Sequence, residues 1–201
     1  MPQIVILASS SQIRSQLLNN AGVFHRVKNA LIDEDGVKAA LKLERRPPRD
    51  VADALADMKS RKISIQYPDS FIIGCDQVLV FNGELYSKPK TKIDMISQLS
   101  GMSGKTHEFF SSSVIYRERT PIWRHIGMAK VTLRDLSLKF IETYVEEGWD
   151  TIKDCTGGYK IEGNGVGLVK KIEGDYFSIL GLPLLEIASF FETHGVLDKC
   201  K

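Results

Sequence analysis

The sequence predicts one α/β unit built on a mixed sheet flanked by helices. Short apolar runs alternate along the chain with amphipathic segments, a pattern that combines crossover connections with hairpins. The clearest hairpin signal is Asn82-Gly83, which follows the apolar run 71–81 and precedes Glu84-Leu-Tyr86. No repeat or low-complexity tract interrupts the 201 residues, so we predict a single domain over 1–201.

The first predicted elements are a strand, a serine-rich turn and a helix. Residues 3–8 are an apolar run typical of a buried strand, and Ser9–Ser11 follow it directly. The amphipathic segment after the serines ends at Gly22, a residue that often closes a helix. A second helix is predicted to begin near Pro48, and the strand 71–81 comes next.

Helices and strands continue to alternate in the second half of the chain. Gly101 and Gly148 are expected to end two of these helices, because glycine weakens a helix interior. The predicted elements are a helix over 91–99, strands over 107–117 and 122–134, a helix capped by Ser137, a glycine-rich section over 157–167, a strand over 167–172 and a helix opened by Pro183.

Composition excludes several classes of protein. Hydrophobic residues make up 43% and charged residues 26%, an ordinary globular balance, and the net charge is only +2. No apolar run approaches the roughly 18 to 20 residues that span a bilayer, and the first residues lack the basic region of a signal peptide. The three cysteines lack CxxC spacing. We therefore expect a cytoplasmic protein with no membrane or nucleic-acid partner.

Asp76 is the most informative single residue. It lies within Phe71–Phe81, where almost every neighbour is apolar. Burying an unpaired carboxylate costs several kcal/mol, so the side chain needs a partner or a metal ion. One interpretation is an aspartate at a strand end that caps a neighbouring turn. The other is a metal ligand or general base presented into a cleft.

Acidic residues recur at Asp33-Glu34-Asp35, a segment that we predict to be a loop. Acids in a loop are usually only solvated. Together with Asp76, however, they can supply the hard oxygen ligands that Mg²⁺ or Mn²⁺ prefers. One carboxylate would then remain to activate water.

Several groups suited to phosphate lie along the chain. Ser9–Ser11 stand at a predicted helix N-terminus, where free N–H groups attract anions, and Arg14 follows one turn later. A serine run is often only a cap, and Lys59 and Lys88 can equally be ordinary surface lysines. In the glycine-rich section, Glu162 can accept hydrogen bonds from the edge of a nucleotide base.

Taken in order, these motifs resemble those of the Maf proteins, a family of nucleoside triphosphate pyrophosphatases. The resemblance covers nearly the whole chain. The segments that carry it are Leu7–Ser11 with Arg14, Asp33-Glu34, Lys59, Gly74–Gln77, Lys88-Pro89, Ser103–His107, Tyr159–Gly163 and Gly181–Pro183.

The resemblance implies a fold like that of the inosine triphosphatases, with an elongated sheet and a cleft between two lobes. It also implies a homodimer and hydrolysis of a nucleoside triphosphate to a monophosphate and pyrophosphate. Carried over by position, Asp76 would activate water, and Glu34 and Asp76 would hold a divalent cation, Mg²⁺ or Mn²⁺. The groups that would bind the triphosphate are Ser9, Arg14, Lys59 and Lys88.

Three departures from the family pattern bear on the substrate. The usual Ser-Pro-Arg-Arg is Ser11-Gln12-Ile13-Arg14 here, so one arginine is missing. Cys75-Asp76-Gln77 and Ile161-Glu162-Gly163 replace Ala-Asp-Thr and Ile-Gln-Gly. A carboxylate at position 162 favours a guanine-type base such as that of 7-methyl-GTP over dTTP or UTP, whereas Ile161 is typical of members that act on pyrimidines.

Two other classes of function compete with this interpretation. The missing arginine favours a non-catalytic nucleotide-binding regulator of cell division on the same fold. A general hydrolase of another phosphate ester is the third possibility, although the sequence contains neither a P-loop nor a nucleophile elbow.

Overall fold

A computed structural model describes residues 3–198, and the chain divides into two compact units. Unit 1 comprises the chain up to Gln77, Phe110–Gly127 and the chain from Phe177 onward, and unit 2 comprises Val78–Phe109 and Met128–Tyr176. The prediction of a single domain over 1–201 stays a prediction.

The described residues form strands and helices in mixed order. The strands are β1 (Val5–Leu7), β2 (His25–Val27), β3 (Phe71–Phe81), β4 (Glu84–Tyr86), β5 (Thr106–Arg117), β6 (Thr120–Leu133) and β7 (Val169–Gly174). The helices are α1 (Gln12–Asn20), α2 (Glu34–Leu43), α3 (Pro48–Ser64), α4 (Lys92–Met102), α5 (Leu138–Ile152), α6 (Tyr176–Ile179) and α7 (Leu184–Thr193), and a 3-10 helix spans Asn164–Leu168.

The strands make one mixed sheet in the order β2-β1-β3-β5-β6-β7, with β4 paired to β3. Strand β1 is parallel to both β2 and β3, so helices must carry the chain between them. The pairs β3–β4 and β6–β7 are antiparallel. The predicted fold class, α/β with a mixed sheet and flanking helices, is confirmed.

The hairpin between β3 and β4 lies where the sequence predicts it. Asn82 and Gly83 have φ angles of 51° and 80°, the left-handed conformation that a tight two-residue hairpin turn requires. The turn between β5 and β6 uses the same conformation at Glu118 and Arg119, with φ angles of 52° and 62°. Neither residue type favours that conformation, which explains why the sequence signal is weaker at this turn.

Several predicted boundaries were wrong. Three elements were not predicted: β2 and α6, which have only three and four residues, and α2, none of whose residues is buried. Helix α4 continues past Gly101 to Met102, and α5 continues past Gly148 to Ile152. A glycine costs a helix only about 1 kcal/mol, so packing of the flanking turns can offset it. Met102 and Ile152 are both buried.

Unit 1 has a core made by β1, β3 and the helices around them. One buried cluster joins Ile6 of β1, Ile72 of β3, Ala56 and Ile63 of α3, and Val114 of β5. The strand residues on both faces of β1 and of most of β3 are buried, which accounts for their continuous apolar runs. The aromatic rings of α7 add edge-on contacts to the start of β3.

Unit 2 has its own core around a buried histidine. His107 and Tyr159 are joined by a hydrogen bond of 2.7 Å between Nε2 and the phenol oxygen. The rings of His107 and Phe109 meet edge to face, with centroids 5.4 Å apart. Met95 and Leu99 of α4 are fully buried in the same unit. This core holds Tyr159, and with it the start of the loop that carries Glu162.

Helix α3 approaches β3 most closely at Gly74. A β-carbon placed there would lie 2.1 Å from the carbonyl oxygen of Ala56 and 2.6 Å from the main-chain nitrogen of Ser60. Both atoms belong to the helix backbone, which cannot rotate away as a side chain can. Only glycine therefore lets α3 lie this close to the strand that carries Asp76.

Gly74→Ala is expected to destabilise the protein by about 3 kcal/mol or more, because α3 must move away from the sheet. Urea unfolding at constant temperature measures this difference in the free energy of unfolding. Gly167→Ala is the matched control, since a β-carbon at that position has nothing within 4 Å. Equal stability of the two variants would contradict this prediction, because it would show that α3 moves away from β3 without loss of unfolding free energy.

Within residues 3–198, no helix is long and apolar enough to cross a lipid bilayer. Cys75 is buried and Cys155 is half-buried, and both are free thiols. Cys200, the third cysteine of the sequence, lies outside the described residues.

Candidate functional site

Lys59 joins two carboxylates in unit 1. Its Nζ lies 2.6 Å from Oδ1 of Asp76 on β3 and 2.7 Å from Oε1 of Glu34 on α2. The side chains of Lys59 and Asp76 are only 10% and 6% exposed, whereas that of Glu34 is 38% exposed. One ammonium group therefore holds two carboxylates that come from different elements and are distant in sequence.

Asp76 keeps one oxygen without a partner. Oδ2 is buried and accepts no hydrogen bond from the described residues, while Oδ1 is taken by Lys59. A buried carboxylate oxygen without a donor is costly, and a catalytic role or a bound ion is one reason for a protein to keep such a group. The oxygen can accept a proton from water or bind a hard cation.

Glu34 reaches this site because a helix begins there. Asp33 caps the N-terminus of α2, and its Oδ1 accepts a hydrogen bond of 3.0 Å from the main-chain nitrogen of Gly36. Glu34 and Asp35 then occupy the first helical turn, where acidic residues suit the helix dipole. The prediction of a loop over 33–35 was therefore wrong. The signal that could have found the helix is an aspartate cap followed by acidic residues.

Arg14 connects the serine turn to the strand of Asp76. Its Nη1 donates to Ser9 Oγ and to the carbonyl oxygen of Cys75, each at 3.1 Å, and its Nε donates to the carbonyl oxygen of Gly181 at 2.7 Å. Ser9 Oγ also accepts a hydrogen bond of 3.3 Å from the main-chain nitrogen of Ser11. The guanidinium of Arg14 and the hydroxyl of Ser9 are thus oriented by contacts within the protein.

Helix α3 is also anchored by an ionic network at Asp53 and Asp57, which the sequence did not predict. Arg124 of β6 pairs with Asp53 and Asp57, and its Nη2 donates to Oδ1 of Asp57 at 3.0 Å. The phenol of Tyr116 donates to the same oxygen at 3.1 Å. These contacts hold the helix that presents Lys59, although each partner lies too far away in sequence to be recognised from spacing.

Lys88 and Glu162 lie in unit 2, and both residues are exposed. The two charges act on the same thiol. Burial raises the pKa of Cys155, and Glu162 raises it further, whereas Lys160 and Lys88 lower it. Of the residues carried over from the resemblance, the structure brings together Ser9 with Arg14, and Glu34 and Asp76 with Lys59.

His107 makes the stability of the fold depend on pH. Burial lowers the pKa of His107 from its ordinary value of 6.5 to about 4. The unfolded chain takes up a proton below about pH 6.5 while the folded chain does not. The stability that comes from the neutral histidine is therefore complete above that pH and is lost as the pH falls towards about 4.

We expect His107→Asn to remove most of that dependence. Wild-type protein should lose about 3 kcal/mol of unfolding free energy between about pH 7 and about pH 4 through this residue, and the variant should lose correspondingly less. Urea unfolding at both pH values measures the difference. His125→Gln, at a half-exposed histidine, is the control. The same pH dependence in wild type and His107→Asn would contradict the assignment.

Comparison with known proteins identifies the family. The sequence model for the family described as "Maf-like protein" matches residues 4–194. The chain belongs to the Maf family. A relative from Ruegeria pomeroyi named nucleoside triphosphate pyrophosphatase is 48% identical over 194 residues, which cover 96% of this chain and 98% of the relative.

Two further relatives of the Maf chain differ in name. A Roseobacter denitrificans protein named nucleoside triphosphate pyrophosphatase is 46% identical over 199 residues, covering 99% of this chain and 100% of the relative. A Brucella abortus protein named 7-methyl-GTP pyrophosphatase is 40% identical over 194 residues, covering 96% and 98% of the two chains. Both names describe a pyrophosphatase that acts on nucleoside triphosphates, but only the second name specifies the base.

Proposed function

We propose that this Maf protein hydrolyses nucleoside triphosphates between the α and β phosphates and releases a monophosphate and pyrophosphate. The observation that carries the proposal is the buried carboxylate of Asp76, which gives Oδ1 to Lys59 and keeps Oδ2 without a partner. The names of relatives that are 46% and 48% identical over almost the whole chain support the same reaction.

Asp76 is the residue that accepts the proton of the attacking water. Its Oδ2 is the acceptor, and the bond from Lys59 to Oδ1 prevents the carboxylate from turning. A general base held by a neighbour needs no reorganisation when the substrate arrives. Water that has lost its proton to Asp76 attacks the α phosphorus, and pyrophosphate leaves.

Cationic groups and hydroxyls hold the triphosphate. We assign this task to Ser9, Arg14, Lys59 and Lys88, as the resemblance implies. Arg14 supports the assignment because its bonds to Ser9, Cys75 and Gly181 orient the guanidinium before a phosphate binds. Charges that are fixed in advance stabilise a developing phosphate charge better than mobile ones.

A divalent cation fits the carboxylates of Glu34 and Asp76. Their oxygens, brought close together by the ammonium of Lys59, are the hard donors that Mg²⁺ and Mn²⁺ prefer. In residues 3–198, no group of three or more His, Cys, Asp or Glu side chains forms a complete ligand set, so water and phosphate oxygens would supply the rest. Bound there, the cation would neutralise charge on the phosphates.

Pyrophosphate release from a panel of nucleotides tests the proposal. Purified protein is incubated with Mg²⁺ or Mn²⁺ and with canonical, deoxy and 7-methylated triphosphates, and the products are separated by chromatography. We expect a monophosphate and pyrophosphate in equal amounts, and loss of turnover in EDTA. Nucleotide binding without any turnover would instead favour the non-catalytic regulator, and release of single phosphates would favour another phosphatase.

Glu162 is proposed to read the base. Its carboxylate can accept hydrogen bonds from the N1–H and the 2-amino group of a guanine, which an amide cannot do equally well. Glu162→Gln should therefore lower kcat/KM for 7-methyl-GTP by about 10-fold or more while lowering that for dTTP less. Steady-state kinetics on both substrates measures the ratio, and Glu147→Gln on the surface of α5 is the control. An unchanged ratio would contradict the assignment.

A homodimer, which the resemblance also implies, is proposed for the protein in solution. Sedimentation equilibrium tests it directly, since the mass of one chain is 22.5 kDa. A single species of that mass across a range of concentrations would contradict the proposal.

A further inference from the structure

The loop that carries Glu162 begins at a buried pair of polar side chains. His107 of β5 and Tyr159 are only 1% and 5% exposed, and a hydrogen bond of 2.7 Å joins Nε2 of His107 to the phenol oxygen. The other ring nitrogen of His107, Nδ1, is buried and has no partner among the described residues. The polar contact that the ring does make fixes Tyr159, three residues before Glu162.

Packing around the ring of Tyr159 leaves it little room to shift. A β-carbon on Gly157 would lie 3.0 Å from Cε1 of Tyr159 and 3.1 Å from the ring of Phe109. The Tyr159 ring also meets the rings of His107 and Phe109 edge to face, with centroids 5.8 Å and 6.3 Å away. Ring contacts thus hold the body of the side chain, and the hydrogen bond to His107 holds its hydroxyl.

The loop that follows Tyr159 closes on itself. The main-chain nitrogen of Gly163 donates to the carbonyl oxygen of Lys160, and that of Val166 donates to the carbonyl oxygen of Gly163, each at 3.1 Å. A β-carbon on Gly165 would lie 2.5 Å from the carbonyl oxygen and 2.7 Å from the main-chain nitrogen of Lys160. Residues 160–166 are therefore a compact turn whose two ends touch through main-chain atoms.

The loop directs its apolar residues inward and Glu162 outward. Ile161 and Leu168 are buried, with 6% and 0% exposed, whereas Glu162 is exposed. The position of the carboxylate therefore follows the main chain of the loop, which starts at Tyr159. A recognition group must be held within about 0.5 Å of its productive position, and this requires support from the groups behind it. His107 and Tyr159 provide such support.

We propose that His107 is a positioning residue for the choice of base, and that it acts through Tyr159 on the loop that carries Glu162. The inference rests on the proposed function and extends it, because it names what holds the carboxylate that reads the base. All three residues belong to unit 2, whereas Asp76 and Lys59 belong to unit 1. A change in the buried pair should therefore alter the preference between bases and leave the hydrolytic step nearly intact.

Kinetics of Tyr159→Phe test the inference. The variant keeps the ring and loses the hydroxyl, so we expect the ratio of kcat/KM for 7-methyl-GTP to that for dTTP to fall about 10-fold. The fall should come from a higher KM for 7-methyl-GTP, while kcat for both substrates changes less than about two-fold. An unchanged ratio, or an equal fall in kcat for both substrates, would overturn the proposal.

Tyr116→Phe is the matched control. Tyr116 is 4% exposed and its phenol donates to Asp57 at 3.1 Å, so the same substitution removes a hydrogen bond of a buried tyrosine in unit 1. This variant should keep the wild-type ratio between the bases. A similar fall in both variants would show that the effect is not particular to Tyr159, which would also overturn the proposal.

Two substitutions of His107 separate its hydrogen bond from its packing. Leucine fills much of the space without a polar group, whereas glutamine carries an amide nitrogen that can donate to the phenol of Tyr159. Burial lowers the pKa of His107 to about 4, so neither change removes a charge at neutral pH. We expect His107→Leu to lower the ratio about 10-fold and His107→Gln to keep it within about three-fold of wild type. Equal ratios in the two variants would overturn the proposal.

A pair of glycines tests whether the closed loop matters. Gly165→Ala forces a β-carbon against the main chain of Lys160 and should open the loop, which lowers the same ratio about 10-fold. Gly167→Ala is the matched control in the same 3-10 helix, because its β-carbon has nothing within 4 Å. The wild-type ratio in both variants would show that the shape of the loop does not set the preference, and would overturn the proposal.

Hydrogen exchange and nucleotide binding separate this inference from the proposed function. The main-chain amides over 160–166 should exchange faster in Tyr159→Phe than in wild type or Tyr116→Phe, because the loop loses its anchor. Unchanged exchange would overturn the positioning role even if the ratio fell. Inert wild-type protein would refute the proposed function. The ratio of the Kd values for the two nucleotides, measured by calorimetry, would then replace the kinetic ratio in each comparison.

Discussion

Asp76→Asn is expected to lower kcat by about 1,000-fold or more while the protein remains folded. The amide has the shape of the carboxylate and can still accept from Lys59 at Oδ1, but it cannot take a proton from water at the second atom. Pyrophosphate release measures kcat, and circular dichroism with urea unfolding reports the fold. A folded variant with a much lower kcat therefore separates loss of the base from loss of the structure.

The control for this variant is Asp69→Asn, at an exposed position before β3. It makes the same change of charge outside the site and should keep wild-type turnover. Glu34→Gln provides a comparison within the site, because weaker cation binding should be partly restored by more Mg²⁺ or Mn²⁺. Near-normal turnover of purified Asp76→Asn would contradict the role of Asp76 as the base.

Lys59→Met is expected to lower the free energy of unfolding by about 3 kcal/mol or more. Lys59 is buried between Asp76 and Glu34, and removing one partner of a buried ion pair leaves an uncompensated charge. Methionine keeps most of the volume, so the loss reports charge more than packing. Urea unfolding at about pH 7 measures the change.

A double variant tests the cause of that loss. Lys59→Met combined with Asp76→Asn removes both charges, so it should be more stable than Lys59→Met alone. Lys62→Met on the same helix is the control, since Lys62 is exposed and should cost less than about 1 kcal/mol. Simple additivity of the two single variants would contradict a direct charge interaction between Lys59 and Asp76.

Local patterns predicted the long elements well. The strand Phe71–Phe81 and the turn at Asn82-Gly83 have strong signals, an unbroken apolar run and a residue pair that adopts positive φ. Helix α2 was not predicted, although its apolar residues recur with a helical period; none of its residues is buried. Asp33–Asp35 therefore resembled a solvated loop, although Asp33 caps the helix.

Side-chain chemistry predicted the candidate site in part. An acid within an apolar strand needs a partner, and that requirement follows from the free energy of burying a charge wherever the partner lies. Glu34, Arg14 and Lys59 were singled out from the residues themselves, and the resemblance to the Maf family supplied their roles. Nothing in the spacing of these residues indicates that one lysine would contact both Glu34 and Asp76.

Residues that are neighbours in sequence determine three features: the strand that contains Asp76, the need of Asp76 for a partner, and the hairpin that follows the strand. Which groups meet Asp76 depends on contacts between distant segments, and only the folded chain decides them. Gly74 admits α3 close enough for Lys59 to reach the carboxylate, and Gln77 binds carbonyls about a hundred residues away. Such pairings depend on how closely the backbones approach and on where the side chains point. Residue identity and local periodicity alone do not reveal either.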